Sequence, residues 1–279
     1  MKAVIFEKRG HQAWIILNRP KANNTLNGDM FLELNDIWNE LREDSAIRVI
    51  ILTASGDKDF CCGGDLSTVI PLWNGSKKPE NDAEHRLLAE KGIVSKVLLR
   101  QRQIIKPIIC AVNGRALGGG TEILQATDIR ISVPDAVFAL TEPKVGIVPG
   151  GGSMVRLSRQ IPWAHAMKIL LTGELISADE ALKMGLISEI VETDQLLVRA
   201  EELAEKICML APLAVQAIKR TALETSDMSW LDAFAFEDEQ ARIVMRSKDA
   251  KEGPRAFLEK RKPKFIGDCL LYTSPSPRD

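Results

Sequence analysis

The chain has 279 residues, enough for one large domain or two smaller ones at roughly 100–200 residues each. Apolar residues make up 45% of it and charged residues 27%, the mix of a folded globular protein with a core of useful size and not of a disordered chain. Lys+Arg 37 against Asp+Glu 38 leaves a formal net charge of -1, which excludes strong steering toward nucleic acid or an anionic membrane but not a local basic patch for a phosphorylated small molecule.

The first residues, MKAVIFEKRG, lack the long apolar stretch of a secretory signal. They open a predicted hairpin, with VIFEKR and AWIILN as strands around the turn-prone RGHQ. NRPKANNTLNGDM is polar and reads as loop. From about Gly28 to Arg42, residues Met30, Leu32, Leu34, Ile37, Trp38 and Leu41 give a helical apolar spacing. RVIILTA (48–54) is a continuous apolar run, as in a strand covered on both faces. Residues 70–84 read as a mobile insertion, and 85–104 as one long amphipathic helix. The strand PIICAVNG (107–114) runs into GRALGGGTE, after which TEILQAT begins a helix; DIRISV and AVFAL resemble paired strands. From about Gly151 the pattern turns helical through SMVRLSRQI, HAMKILLTG and SADEALKMG, with ISEIVE as a short strand. Residues 194–225 and 229–248 read as two amphipathic helices. The tail DCLLYTSPSPRD continues no pattern and reads as a cloning or sequencing scar, or as a disordered terminus.

No apolar run approaches the ~20 residues needed to span a bilayer, so no membrane association is expected. The five cysteines, Cys61, Cys62, Cys110, Cys208 and Cys269, form no CxxC pair and are odd in number, which points to reduced thiols in a cytoplasmic protein. His11, His85 and His165 show no metal-ligand spacing, so no metal is expected.

Gly118-Gly119-Gly120 is the strongest local signal, because three glycines between a buried strand and a helix permit unusual dihedrals and close approach to a ligand. The free N–H groups of a helix start also favour partial negative charge, although a tight packed turn explains the same residues about equally well. Neither a Walker loop nor the dinucleotide glycine spacing is present. Gly63-Gly64, after FCC, is an ordinary loop by itself. Together the two glycine elements, each following a buried strand, are positioned to converge on one oxygen, and each backbone donor to an oxyanion is worth on the order of 3 kcal/mol. Glu122 lies in the first turn of the predicted helix, where acidic residues are common; Glu142, before Pro143, reads singly as a solvated loop carboxylate. As a pair beside glycine turns they can divide acid and base roles. Gly150-Gly151-Gly152 is a further close-approach point or simply a helix start with Ser153 near the cap.

FCCGGDL, NGRALGGGTEI, FALTEPKVGIVPGGG and LTGELISADEALKMGLISEIV, in this order, resemble the enoyl-CoA hydratase/isomerase (crotonase) family. ILNRPKANNTLN near the start and AFLEKRKPKF near the end match too, so the likeness spans roughly residues 3–266. It implies an α/β, crotonase-like fold: a core of repeated ββα units over 1–193 carrying the active site and a C-terminal helical trimerisation region over 194–267, with the tail from 268 to 279 outside the likeness. It implies a homotrimer or homohexamer acting on an acyl-CoA thioester, with no separate cofactor because coenzyme A is part of the substrate. By motif position, the amides of Gly64 and Gly119 resemble the oxyanion hole. Gly64, Asp65, Leu66 and Ser67 resemble part of the CoA and acyl edge, and Gly150 falls near the attacking water. Glu122 and Glu142 fall where hydratases carry their catalytic pair; Phe257 and Lys260 resemble positions that reach a neighbouring subunit's CoA.

Three positions depart from the family's pattern. Gly64 stands where alanine is usual, Ser67 where many hydratases have lysine, and Thr141 where proline more often precedes the glutamate. The resemblance implies hydration of a 2-enoyl-CoA, with a double-bond isomerase relying on Glu142 alone, or another acyl-CoA reaction of the family, as the alternative. A non-catalytic acyl-CoA-binding protein is the reading outside enzymology, and the presence of both carboxylates and both glycine elements opposes it.

Overall fold

The computed structural model describes residues 2–101 and 103–268. It opens with the hairpin of β1 (Val4–Arg9) and β2 (Gln12–Leu17), antiparallel in register from Val4 opposite Leu17. A polar loop leads to α1 (Gly28–Glu43), whose N-cap Asn27 accepts the Met30 amide through its side chain and whose buried face includes Met30, Phe31, Leu34, Trp38 and Leu41. Then follow β3 (Val49–Ala54), β4 (Asp59–Cys61), α2 (Val69–Trp73), α3 (Asp82–Ala89) and α4 (Ile93–Val97). Next come β5 (Ile108–Val112), β6 (Arg115–Leu117), α5 (Gly119–Leu124), β7 (Ile129–Ser132) and β8 (Val137–Ala139). The chain continues through α6 (Ser153–Gln160), α7 (Trp163–Thr172), β9 (Ile176–Ser177), α8 (Ala178–Lys183) and β10 (Glu189–Ile190). It ends in α9 (Leu196–Cys208), α10 (Pro212–Glu224), α11 (Trp230–Met245) and α12 (Asp249–Leu258).

The strands form two sheets, one of order β1-β2-β3-β5-β7-β10 and one of order β4-β6-β8-β9. Successive strands alternate between them: β3, β5 and β7 enter the large sheet, and β4, β6 and β8 enter the small one, with helices after each pair. This is a repeated ββα path in which each unit crosses from one sheet to the other. Within the large sheet the pairings from β2 onward are parallel, and β3 and β5 are buried at every residue, as strands covered on both faces must be. In the small sheet β4 runs parallel to β6, so the loops that leave their C-terminal ends emerge side by side. That adjacency positions the site.

Several elements differ from the sequence expectation. DIRISV and AVFAL do not pair: β7 lies in the large sheet and β8 in the small one, with a turn closed by the Ala136 amide on the Val133 carbonyl between them. Residues 70–84 are not wholly irregular, since α2 runs into them and buries Leu72, and Asn81 caps α3. The helix expected over 85–104 is two short ones, α3 and α4, with Gly92 in the left-handed region between them. The helix expected over 194–225 breaks at Ala211, because Pro212 has no N–H to continue it and starts α10 instead. α12 is a separate helix after α11. Leu196, Ala200 and Ala204 of α9 are buried where that helix packs on β3, β5 and β7, whereas α10 buries no residue fully. No helix among the described residues is long and apolar enough to cross a membrane. Of the scar or disordered tail expected over 268–279, Asp268 is described and accepts the Lys248 ammonium at 2.6 Å, and 269–279 lie outside the described residues.

Candidate active site

The two glycine elements do meet. Leu26 and Gly64 form an isolated parallel bridge, in which the Leu26 amide donates to the Gly63 carbonyl at 2.8 Å and the Asp65 amide to the Leu26 carbonyl at 3.0 Å. Because alternate amides along an extended segment face opposite sides, the N–H of Gly64 points away from Leu26. Gly119 is the first residue of α5, and its amide has no carbonyl one turn back to bond. The backbones approach so closely that a Cβ on Gly63 would stand 3.1 Å from the Gly119 nitrogen, and one on Gly120 would stand 2.0 Å from the Cys61 carbonyl oxygen. Only glycine fits at 120. Neither the Gly64 nor the Gly119 amide donates to another described residue.

Glu122, one turn into α5, is buried. Its Oε1 accepts the Ser153 amide at 3.2 Å at the start of α6, and the Gly151 and Gly152 amides also bond its carboxylate. A Cβ on Gly151 would lie 2.5 Å from Glu122 Oε2 and 2.2 Å from Leu98 Cδ1, so the glycine turn is moulded around the carboxylate. Burial pushes the Glu122 carboxyl above its usual range, and the Ser153, Gly151 and Gly152 amides with the Arg156 charge pull only part of the way back. Gln125 donates to the Ser153 hydroxyl at 2.9 Å from the next turn of chain.

Glu142 follows β8 in a short 3-10 turn, Glu142–Val145. A Cβ on Gly118 would stand 2.9 Å from Glu142 Oε1, which fixes the carboxyl against the strand–helix turn that presents Gly119. Its Oε2 is buried without a hydrogen-bond partner among the described residues. Burial pushes this carboxyl up to about 7, partly offset by its own backbone amide and reinforced by the Glu122 charge. The two glutamates therefore differ: one is cradled by amides, and the other is left to favour its neutral form.

Gly64, Gly119, Glu122 and Glu142 all line one cavity of about 550 Å³. Leu26, Phe31, Ile70, Trp73, Val94 and Leu98 supply its apolar wall, and the Phe31 and Trp73 rings meet edge-on at 5.2 Å. Among the described residues no group of three or more His, Cys, Asp or Glu is placed to hold a metal ion. Two amide donors facing a carboxyl pair across an apolar hollow can stabilise an enolate oxygen while protons are exchanged beside it.

A sequence profile described as "Enoyl-CoA hydratase/isomerase" matches residues 8–268. The chain belongs to the enoyl-CoA hydratase/isomerase family. The enoyl-CoA hydratase EchA19 of Mycobacterium tuberculosis is 43% identical over 94% of this chain and 95% of its own length. The (E)-benzylidenesuccinyl-CoA hydratase of Thauera aromatica is 40% identical over 95% of this chain and 99% of its own. A crystal structure of an enoyl-CoA hydratase from Bacillus anthracis superposes with a TM-score of 0.86 at 33% identity, covering 95% of this chain and all 100% of that one. The crotonase-like fold expected from the sequence is thus the fold of the chain.

The structure brings some of the expected edge residues to the cavity and not others. Leu66 lines it and is 60% exposed at its rim, and Gly150 lines it beside Gly151. Asp65 faces away from it. Its carboxylate accepts the Ser67 hydroxyl at 2.6 Å, the Ser67 amide at 3.0 Å and the Arg19 guanidinium at 3.2 Å. Burial raises the Asp65 carboxyl, but Ser67 and Arg19 more than offset this and hold it below its usual range. Asp65 and Ser67 therefore brace the Gly64 segment against the Arg19 loop. Phe257 and Lys260 do not line the cavity of their own chain; Phe257 is 81% exposed on α12. Sequence reasoning placed the Gly150–Gly152 run but missed that Gly151, Gly152 and Ser153 cradle Glu122, and it missed Arg100, Phe31 and Leu98 in the cavity wall. The cradle had a signal in three consecutive glycines before a helix, but its partner lies 31 residues away in sequence.

Proposed function

We propose that the protein is an enoyl-CoA hydratase, with Gly64 and Gly119 as the oxyanion donors and Glu122 and Glu142 as the catalytic pair. The observation that carries this reading is the unequal pair of carboxyls in one apolar cavity beside two uncommitted amides. The thioester carbonyl oxygen of a 2-enoyl-CoA accepts both amides, which draws electron density from Cβ. Glu122 takes a proton from water as the water oxygen bonds to Cβ. The Cα=Cβ electron pair moves to the thioester oxygen as an enolate, and neutral Glu142 then delivers its proton to Cα. Proton exchange with solvent resets both carboxyls. Leu66 and Gly150 contact the substrate at the rim and near the attacking water, and Asp65 and Ser67 act by holding Gly64.

Phe257 and Lys260, on the exposed side of the C-terminal helices, reach the CoA of a neighbouring copy in a homotrimer or a hexamer of stacked trimers. Residues 194–267 form that oligomerisation region, and 1–193 the catalytic core. The odd cysteine count supports a cytoplasmic setting.

The test is hydration of crotonyl-CoA, followed by loss of enoyl absorbance, in wild type and Glu142→Gln. The expected loss is roughly 10²–10⁴-fold in kcat, the contribution of a positioned acid. Wild-type activity should fall as pH rises past about 7, where Glu142 loses the proton it must donate. Near-wild-type turnover by the variant overturns the assignment. The isomerase alternative rests on Glu142 alone shuttling the proton, and a 3-enoyl-CoA substrate separates it from hydration.

A further inference from the structure

α4 ends at Val97, and two residues later Leu99 sits at φ 52, a left-handed backbone that a leucine rarely adopts. The reversal is held from both sides. The Arg156 guanidinium donates to the carbonyls of Leu98 at 3.0 Å and Leu99 at 2.5 Å, and the Arg100 amide donates to the Ser95 carbonyl at 2.8 Å. Its consequence is that Leu98 and Arg100 both line the catalytic cavity. Strained backbone fixed by a neighbouring helix at the wall of an active site marks a place where side-chain position matters.

Arg100 Nη1 donates to the Gly150 carbonyl at 3.0 Å, which anchors the guanidinium on the turn that cradles Glu122. Other arginines of this protein are matched to carboxylates, Arg19 to Asp65, Arg115 to Asp59 and Arg199 to Glu189. Arg100 has no carboxylate partner among the described residues, so most of its planar fork of donors is uncommitted. The other ionisable groups on the cavity wall are Glu122 and Glu142, of which Glu122 is the one that works as a carboxylate. A second carboxylate entering beside Glu122 meets repulsion unless a cation intervenes, and a guanidinium meets a carboxylate with two parallel hydrogen bonds.

We propose that Arg100 selects enoyl thioesters whose acyl group carries a second carboxylate. This deepens the hydratase reading and rests on it. The Gly150–Gly152 turn borders Glu122, the group that flanks Cβ, and so lies on the acyl side of the thioester carbonyl. The CoA moiety leaves on the other side, along Gly64 to the exposed Leu66. The reaction itself is unchanged: water adds across the double bond, and the distant carboxylate takes no part in bond making.

The experiment compares trans-glutaconyl-CoA, which ends in a carboxylate, with trans-5-methyl-2-hexenoyl-CoA, whose terminal isopropyl group has the same shape without the charge. Wild type is expected to favour the charged substrate by roughly two- to fivefold in kcat/KM, the scale of an ion pair at an exposed guanidinium. The preference should reside in KM and weaken as salt is raised. Arg100→Gln is expected to abolish it, and Arg100→Lys to keep part of it. An equal kcat/KM for the two substrates in wild type overturns the proposal. So does an Arg100→Gln variant that weakens both substrates alike, which would assign Arg100 to CoA phosphate or to the Gly150 turn only. A wild type that hydrates no enoyl-CoA, crotonyl-CoA included, sinks the hydratase reading instead.

Discussion

The buried position of Glu142 that the proposed chemistry uses costs the fold stability. Its carboxyl is held near 7 by burial, against an ordinary value of 4.5. Below about 4.5 the folded and unfolded chains are both protonated there, and the group is neutral in its effect. Between about 4.5 and 7 only the unfolded chain ionises, so stability falls as pH rises. Above about 7 the folded state carries a buried charge, and the full penalty of about 3 kcal/mol applies. Glu142→Gln removes that titration. Denaturant unfolding at fixed protein concentration should therefore show the variant gaining stability over wild type from pH 4.5 to 7 and holding the gain above, with no gain at pH 4. A gain independent of pH would place the strain elsewhere. That both glutamates belong to one site was legible in the sequence because each sits within a motif, and both line one cavity. The difference between them was not, since it arises from Ser153 and the glycine turn on one side and from the partnerless Oε2 on the other.

At the scale of an element, α2 explains the glycine at 64. A Cβ there would stand 3.2 Å from Ile70 Cδ1 and 3.7 Å from Ile70 Cγ1, so Ile70 already fills the space that the family's usual alanine would take. Ile70 and Trp73 both line the cavity, which makes this short helix part of its apolar wall. Gly64→Ala should push the tip of Ile70 inward and lower kcat/KM for longer enoyl chains by roughly fivefold, near the low end for overpacking because a flexible tip yields. Adding Ile70→Val, which deletes the clashing methyl, should restore most of the loss, and the double-mutant cycle reads the coupling directly. Additive losses would mean that alanine instead misaims the Gly64 amide. α2 itself was hard to see in the sequence. Its five residues, VIPLW, are too few for a helical period and lie among Lys, Asn, Pro and acidic residues. The long elements α1, β3 and β5 were legible because their periods run for whole turns or whole buried strands. The split at Gly92 and the crossing of β7 and β8 into different sheets depend on tertiary contacts that no local pattern carries.

At the scale of the molecule, the C-terminal helices leave apolar surface that a single chain does not cover. Trp230, Leu231, Phe257 and Leu258 are 80%, 81%, 81% and 80% exposed, and Ile218 and Met245 are nearly as bare. The proposed oligomer would cover such a surface, and burying each large side chain is worth about 1.5–3 kcal/mol. If Phe257 and Lys260 of one copy reach the cavity of the next, the contact joins two different surfaces. Contacts of that kind close into rings, which suits a trimer better than a two-fold dimer. Light scattering should then give wild type a mass of three or six times 30.9 kDa. Trp230→Asp combined with Leu231→Asp should lower it toward a single chain, because two charges cannot be buried unpaired at the interface. The same variant should raise KM for crotonyl-CoA by roughly tenfold, the effect of losing about 1.4 kcal/mol of contact from the neighbour's α12, while Glu122, Glu142 and the amides keep their geometry within each chain. A wild type of one-chain mass would remove the partner from the site. A dissociated variant with unchanged KM would separate assembly from CoA binding and leave Phe257 and Lys260 with a purely structural part.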